Sequence, residues 1–205
     1  MALILHTFES FNPKKVELAL RELRVPAEVR TVDLYRRENR SPAFLTLNPR
    51  GKLPVLEVDG ASIVESHAIL AWIGETYGLW PTTAHGRAEA LSWLFFFTGH
   101  LEEDLGNAWF QAWVLPRMGR AGDDALVTRS HEAVARQLAF VEARLTNRAW
   151  LLDELTLVDL SLAVLLEALR GSGFDFSGFP RCQDLHEAVR SRPAWAEAGI
   201  GYPPR

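Results

Sequence analysis

The chain has 205 residues and a formal net charge of −4; 48% of its residues are hydrophobic and 23% are charged. This composition is typical of a folded globular protein with a sizeable core, in one large domain or two small ones. No basic block stands out, which argues against nucleic-acid binding through a basic field. The longest uncharged apolar stretch, ALSWLFFFTGHL, is shorter than the roughly 20 residues that span a bilayer, so we expect no membrane segment.

Cysteine usage and the first residues bear on the compartment. Cys182 is the only cysteine, so no internal disulfide can form, and this favours a reducing environment. The opening MALILHTFES lacks the basic flank and long apolar run of a signal peptide. We therefore expect a cytoplasmic protein.

In the first part of the chain, up to about Gly78, strand and helix patterns alternate. ALILH predicts a strand, PKKVELALREL a helix, AEVRTVDL a half-buried strand, and SPAFLTLN a short helix capped by Ser41 with Pro42 at its first position. KLPVLEVDGASIV predicts two strands around the Asp59-Gly60 turn, and a helix follows from Glu65-Ser66. The order β-α-β-α-β-β-α predicts a mixed sheet, with the first two strands parallel and the last two antiparallel.

After the connector YGLWPTTAHG, strand patterns disappear and only helical periodicity is left. Three long segments and a shorter one, CQDLHEAVRSR, repeat apolar residues at helical spacing. The sequence therefore predicts two domains, an α/β domain over residues 1–79 and an all-helical domain over residues 86–205.

Pro54 stands at the start of a predicted strand, where a ladder hydrogen bond would normally form. One interpretation is a strand start that needs no such bond. The other is a cis peptide bond between Leu53 and Pro54, which leaves the backbone of Leu53 outside the sheet. Those backbone groups can then pair with a bound peptide in the manner of an added strand.

Glu65 and Ser66 stand at the start of the helix that follows. Ser66 is a good helix cap, and a cap alone would explain it. Amide groups in the first turn of a helix also bind anions, while the carboxylate of Glu65 can pair with an ammonium group. Together they suit a ligand that carries a carboxylate and an amine on one carbon, as an amino acid does.

The stretch NPRGKLPVLEVDGASIVESHAILAWIGETYG resembles the glutathione-binding hairpin and helix of the cytosolic glutathione transferases. The resemblance implies a cis proline at position 54 and pairing of Leu53 with the cysteinyl backbone of glutathione. It implies that Glu65 and Ser66 hold the γ-glutamyl end. It also implies that Lys52 reaches the glycyl carboxylate, with Arg40 near another position used for that group.

The resemblance extends over nearly the whole chain. WLLDELTLVDLSLAVLLEAL is similar to the core helix of the family's second domain, and Thr156 and Asp159 form a Thr-x-x-Asp capping pattern at its start. The implied fold is a thioredoxin-like first domain, βαβαββα, followed by an all-helical glutathione-transferase domain. The implied type is a bacterial member that uses serine or asparagine.

Catalysis in this family requires a glutathione thiolate, and the loop TFESFNPKKVELAL is similar to the one that holds the catalytic side chain. Aligning Lys15-Val16 with the family's basic-apolar pair puts Ser10 at the catalytic serine, with Asn12 as the second candidate. Asn12 directly precedes Pro13, so it is also a good helix cap. Glu9 and the bulky Phe11 depart from the family pattern, and a carboxylate pointing at the sulfur would oppose a thiolate.

The helical domain is rich in aromatic residues. We expect Phe11, Trp109, Phe110 and Trp113 to line an apolar pocket for the second substrate, between the domains. The excess of apolar residues between Ala90 and Val114 predicts a homodimer through the third helix of the first domain and the first long helices of the second. The histidines share no metal-ligand spacing, so we expect no metal site.

Two functions follow from the resemblance. The first is a glutathione transferase that uses glutathione as co-substrate and adds its thiolate to a small apolar electrophile. Peroxidase, dehalogenase or isomerase chemistry in the same site would need only a different pocket. The second is a glutathione-binding or regulatory protein without catalysis on the same fold.

Overall fold

The computed structural model describes residues 1–203. The chain divides into two compact units. The first consists of Met1–Trp80 together with Pro193–Ala198, and the second of Pro81–Arg192 together with the residues from Gly199 onward. The segment that joins the first unit near the end of the chain has no counterpart in the two-part division that the sequence predicts.

The first unit is built on a four-stranded mixed sheet, as predicted. Its strands are β1 (Leu3–Thr7), β2 (Glu28–Thr31), β3 (Val55–Val58) and β4 (Ala61–Val64), in the order β2-β1-β3-β4. β1 and β2 are parallel, whereas β3 is antiparallel to both of its neighbours. The β3–β4 turn has positive φ at both Asp59 and Gly60, which is the backbone that an Asp-Gly hairpin requires.

The helices of the first unit also follow the predicted order. They are α1 (Phe11–Glu22), α2 (Pro42–Leu47), α3 (Ser66–Tyr77) and, near the end of the chain, the short α10 (Pro193–Glu197). Ser41 caps α2 through a 3.2 Å hydrogen bond from the amide of Phe44 to its Oγ, as predicted. α1 packs against α3 and α10, and α1, α3 and the sheet share a core of fully buried aliphatic side chains, among them Leu5, Val16, Leu56, Ile69 and Ile73.

The second strand differs from its prediction. All four residues of β2 are exposed, although the alternating pattern predicts a half-buried strand. The reason is its position, since β2 is an edge strand that pairs only with β1. Burial resumes one residue later, where Val32 packs with Phe44 and Val55.

The second unit is all-helical, as predicted. A continuous helical stretch runs through α4 (Ala84–Phe96), a π-helical segment (Phe97–Leu101), α5 (Glu102–Trp109), a second π-helical segment (Phe110–Val114) and α6 (Leu115–Arg117). The other helices are α7 (Asp124–Arg144), α8 (Leu157–Gly171) and α9 (Pro180–Arg190). Nearly every residue of α8 is buried, which makes it the central helix of this unit.

The start of α8 is closed by its own side chains. Asp159 Oδ2 accepts hydrogen bonds from the Thr156 amide at 2.8 Å and the Thr156 hydroxyl at 2.9 Å, and its Oδ1 accepts from the Leu151 amide at 2.8 Å. Burial raises the pKa of Asp159 to about 6, and the three donors oppose that rise. The predicted role of Thr156 and Asp159 in capping is therefore confirmed.

Within residues 1–203, none of the helices combines the length and the apolar character that a bilayer crossing requires.

Candidate functional site

The register of the sheet gathers three chain segments at one end of the first unit. His6 of β1 pairs with Val55 of β3, which pairs in turn with Val64 of β4. The chain leaving β1, the chain entering β3 and the chain leaving β4 therefore meet where these three strands end, and we call this side of the sheet the edge of the site. These segments contain Ser10 and Asn12, the Leu53–Pro54 bond, and the start of α3.

The peptide bond between Leu53 and Pro54 is cis, which confirms the prediction from the sequence. Pro54 is buried, and β3 begins only at Val55. Leu53 consequently lies outside the paired register of the sheet.

Helix α3 begins at Ser66, as predicted, and Glu65 is its N-cap residue. Glu65 has a φ of 69°, a left-handed conformation that is uncommon for a residue other than glycine. Within the described residues, its side chain makes no capping hydrogen bond to α3. The Ser66 hydroxyl turns to α1 instead and donates to Asn12 Oδ1 at 3.2 Å.

The start of α1 corrects one alternative for Asn12. The N-cap is Ser10, two residues earlier than the Asn12-Pro13 pair indicates, and the helix begins at Phe11. In the part of the chain that the structure describes, the Ser10 side chain makes no capping bond. Asn12 lies in the first turn, where its Oδ1 accepts from both Ser66 and Lys15 Nζ, the latter at 2.7 Å. Glu9, whose carboxylate would oppose a thiolate if it pointed inward, is exposed.

A fixed loop presents cations beside the start of α3. The buried Asn48 accepts from the Arg50 amide at 3.1 Å and donates to the Lys52 carbonyl at 2.9 Å, which holds the loop closed. The Arg50 guanidinium donates to the Glu65 carboxylate, and both side chains are exposed. Lys52 is exposed, whereas Arg40 donates to the Arg50 carbonyl at 3.1 Å and so supports the loop.

Only glycine fits at position 51 of this loop. Its φ is +63°, and a Cβ there would lie 2.8 Å from both the Asn39 carbonyl oxygen and Arg40 Nη1. A side chain at position 51 would therefore displace the loop that carries Arg50 and Lys52.

The aromatic residues predicted to line an electrophile pocket belong to two different units of the chain. Phe11 belongs to the first unit and is buried. In the second unit, Trp109 and Trp113 stack with ring centroids 5.3 Å apart, and Tyr202 meets both edge-on. Phe110 is 43% exposed, so it does not share the packing of its two neighbours.

Three contributors to the site, Lys15, Arg50 and Asn48, are missed by the sequence reasoning. The contact between Lys15 and Asn12 had a signal, because residues three apart share a helix face. The ion pair of Arg50 with Glu65 spans 15 positions and has no local pattern that would reveal it.

The sole cysteine, Cys182, lies on α9 of the second unit. Burial raises the pKa of the Cys182 thiol, so it is a poor nucleophile. Among residues 1–203, no three His, Cys, Asp or Glu side chains cluster as ligands of a metal ion.

Comparison with known proteins agrees with this fold. The protein-family model for the glutathione S-transferase N-terminal domain matches residues 10–76, and the family model for the C-terminal domain matches residues 88–193. Glutathione S-transferase 3 of Zea mays is 34% identical over 206 residues, covering 94% of this chain and 91% of that protein. Disulfide-bond oxidoreductase YfcG of Escherichia coli (strain K12) is 29% identical, with coverage of 90% and 91%.

One similar solved structure contains bound glutathione. The glutathione transferase of Burkholderia graminis, with two glutathione molecules bound per subunit, superposes with a TM-score of 0.85 at 28% identity, over 96% of this chain and 87% of that one. A thioredoxin-like unit followed by an all-helical unit is the fold of the glutathione transferases. This chain belongs to the glutathione S-transferase family.

Proposed function

We propose that this protein is a glutathione S-transferase of the serine/asparagine type, which adds the glutathione thiolate to small apolar electrophiles, with Ser10 stabilising the thiolate. One observation carries the proposal. The starts of α1 and α3 lie at one edge of the sheet, and the side chains of Ser10 and Glu65 make no capping bond to their own helices in the described chain. The Ser10 hydroxyl and the first amides of the two helices are therefore not covered by these caps and can meet the anionic groups of a ligand. Glu65 would exchange its exposed partner Arg50 for an ammonium group.

Each part of glutathione finds a complementary group at this edge. The Leu53 backbone, outside the strand register, pairs with the cysteinyl backbone. Glu65 takes the γ-glutamyl ammonium, and Ser66 with the first amides of α3 takes the adjacent carboxylate. Lys52 takes the glycyl carboxylate, and Arg40 acts by holding the loop.

One hydroxyl donor is enough for the thiolate. A free thiol with a pKa near 8.5 is about 3% ionised at pH 7, and lowering its pKa by two units requires about 2.7 kcal/mol. A hydrogen bond to a charged group contributes about 1.5 to 3 kcal/mol, and a helix N-terminus adds about 0.3 to 1 kcal/mol. Ser10, at the N-cap of α1, is placed to supply both.

The test follows the thiolate absorbance of bound glutathione against pH in the wild type, Ser10→Ala and Asn12→Ala. We expect Ser10→Ala to raise the pKa of the bound thiol and to lower turnover at neutral pH, with binding nearly intact. A titration that moves in Asn12→Ala and stays in place in Ser10→Ala would exchange the roles of the two residues.

Glutathione-dependent reduction of disulfides is a second candidate, favoured by the likeness to a disulfide-bond oxidoreductase. One glutathione thiolate would attack a disulfide sulfur and release the other substrate sulfur as a thiolate, which leaves a mixed disulfide. A second glutathione thiolate would then attack the glutathione sulfur of that mixed disulfide and release the remaining substrate sulfur as a thiolate. The products are two thiols and oxidised glutathione. Parallel assays with an aromatic electrophile and a small disulfide distinguish the two candidates, and binding without either turnover would favour a non-catalytic glutathione-binding protein.

The electrophile would meet aromatic side chains of α1, the end of α5 and the π-helical segment after it. We propose that Phe11, Phe110, Trp109 and Trp113 contribute this apolar surface. The stacked pair Trp109 and Trp113 supplies a rigid face, and the exposed Phe110 supplies an adaptable one. Phe110→Ala should raise KM for an apolar electrophile and leave KM for glutathione unchanged.

A homodimer would cover the exposed aromatic surface of the second unit. Phe95 is 72% exposed and Phe140 57%, and both line a groove of about 750 Å³ together with Trp93 and Phe96. Leu91, also on α4, is 39% exposed. Soluble proteins rarely expose such a patch without a partner. We propose a second copy of this chain as that partner, with α3 contributing to the interface.

Light scattering tests the dimer at micromolar concentration. We expect twice the mass of one chain for the wild type, and the mass of one chain for Phe95→Asp/Phe140→Asp. Tyr35→Asp is the matched control, because Tyr35 is 60% exposed on the first unit. A wild type with the mass of a single chain would exclude the dimer.

A further inference from the structure

Lys15 is a lysine with no exposed surface, and it lies beside the candidate glutathione site. Its Nζ is 2.7 Å from Asn12 Oδ1 and 3.3 Å from His67 Nε2, and it lies 5.6 Å from the centre of the Phe11 ring. His67 is the second residue of α3, so this ammonium group is close to the starts of both helices.

Physical chemistry opposes a cation at this point. Removing an ammonium group from water costs several kcal/mol before its contacts are counted. The N-termini of α1 and α3 also carry positive partial charge, which disfavours a further positive charge nearby. An anion bound at this edge would offset these costs, because the Lys15 ammonium group and the N-termini of α1 and α3 would all attract it.

Lys15 also settles the orientation of the Asn12 amide. An ammonium group can only donate hydrogen bonds, so the atom facing it must be the amide oxygen. The same oxygen accepts from the Ser66 hydroxyl. The NH₂ end of Asn12 is thereby left as its donor end, and Ser66 is tied to α1. At the contact with His67, the ring nitrogen must likewise be the acceptor.

We propose that Lys15 is a positioning residue of the glutathione site: it orients Asn12 and, through it, Ser66, and its buried charge favours the thiolate of bound glutathione. The inference rests on the proposed function. It adds a third source of positive charge to the two helix starts.

Other charged groups surround α1, and they have their own partners. Glu17 accepts from Thr7 and from Lys14, and Lys14 also donates to the Ala198 carbonyl at 2.8 Å. The remaining titratable groups on α1 and the elements packed against it are Arg21 and Glu22 on α1, His6 on β1, His67, Glu75 and Tyr77 on α3, Glu65 before it, with Arg50 as its partner, and Glu197 on α10.

Three substitutions of Lys15 separate positioning from charge. Lys15→Arg keeps the charge and the donors, Lys15→Gln keeps a donor without the charge, and Lys15→Met keeps only the length. Lys14→Met is the matched control, because Lys14 is the neighbouring lysine on the same helix with an unrelated set of partners.

Two readouts are needed for each folded variant. The first is the pH titration of the bound thiolate, and the second is the dissociation constant of S-methylglutathione, which has no thiol. We expect Lys15→Gln to raise the thiol pKa by about one unit and to change S-methylglutathione binding less than threefold. Lys15→Met should also weaken S-methylglutathione binding by about tenfold. Lys15→Arg should stay within about threefold in both, and Lys14→Met should move neither.

The outcomes distinguish this inference from the proposed function. A wild type that binds no glutathione overturns both. A wild type that forms the thiolate, with Lys15→Gln titrating as the wild type does, overturns the role of Lys15 alone. If Lys15→Met does not fold, Lys15→Gln still decides, since a purely structural lysine would lower the unfolding midpoint without moving the titration of the folded protein.

Discussion

The side chains at the starts of α8 and α3 are used in opposite ways. Both helices begin with amide groups that lack partners within the helix. At α8, Asp159 is fully buried and accepts three hydrogen bonds from its own chain. At α3, Glu65 is exposed in a left-handed conformation, and Ser66 bonds to another helix. A helix start closed by its own side chains stabilises the fold, whereas one held open by neighbours can accept a ligand.

The first prediction breaks the closed start. Asp159→Ala removes the acceptor for the Leu151 amide and both groups of Thr156, so the free energy of unfolding should fall by about 2 to 4 kcal/mol. Chemical denaturation measures the change. Asp123→Ala is the matched control, because Asp123 is an N-cap with one bond, from the Leu126 amide, at the exposed start of α7. Asp123→Ala should lower the free energy of unfolding by about 1 kcal/mol. Equal losses in the two variants would contradict the distinction.

The second prediction breaks the open start. Glu65→Gln should weaken glutathione binding by about 1.5 to 3 kcal/mol, because a charge-assisted hydrogen bond to the γ-glutamyl ammonium is lost. The unfolding midpoint should stay near that of the wild type, since the ion pair with Arg50 is exposed. Calorimetric titration with glutathione measures the first effect and thermal unfolding the second.

A comparable carboxylate elsewhere provides the control for Glu65. Glu187→Gln removes one partner of an exposed ion pair with Arg190 on α9. It should change neither binding nor stability measurably. If both variants bound glutathione as the wild type does, Glu65 would have no part in the site.

The difference between the two helix starts also explains what could be predicted from the sequence. The capping pattern of Thr156 and Asp159 spans three positions, and Ser41 with Pro42 is equally local, so both were visible as residue patterns. Local hydrogen bonding of this kind depends on neighbours in the chain and little else. The order of strands and helices was likewise visible in hydrophobic periodicity.

The open start depends on contacts that no local pattern encodes. Ser66 meets Asn12 across 54 positions, and Arg50 meets Glu65 across 15. Asn12 before Pro13 was a reasonable helix cap, but the helix begins earlier, at Phe11, and the side chain serves another contact. The positive φ of Glu65, between β4 and α3, has no sign in its residue type. The cis bond at Pro54 was one of two interpretations of a proline at a strand start, and the family resemblance also implied it.

The smallest expected effect concerns the other end of α8, which its own chain also closes. The Ser172 hydroxyl donates to the Leu169 carbonyl at 2.7 Å, so its oxygen accepts from His131 Nε2 at 2.8 Å. Burial lowers the pKa of His131 below its usual 6.5. In the range just below that value, the unfolded chain therefore binds more protons than the folded one, and the stability that His131 contributes above pH 6.5 is lost as the pH falls.

His131→Gln should retain a donor to Ser172 and remove this proton linkage. The free energy of unfolding should then fall less steeply between about pH 7.5 and 5.5 than in the wild type, where an unperturbed histidine titrates near pH 6.5. His85→Gln is the control, because His85 is exposed at the start of α4. Denaturation curves across the pH series compare the slopes. Equal slopes in the wild type and His131→Gln would show that the closed end of α8 carries no proton linkage, and that its stability comes from packing alone.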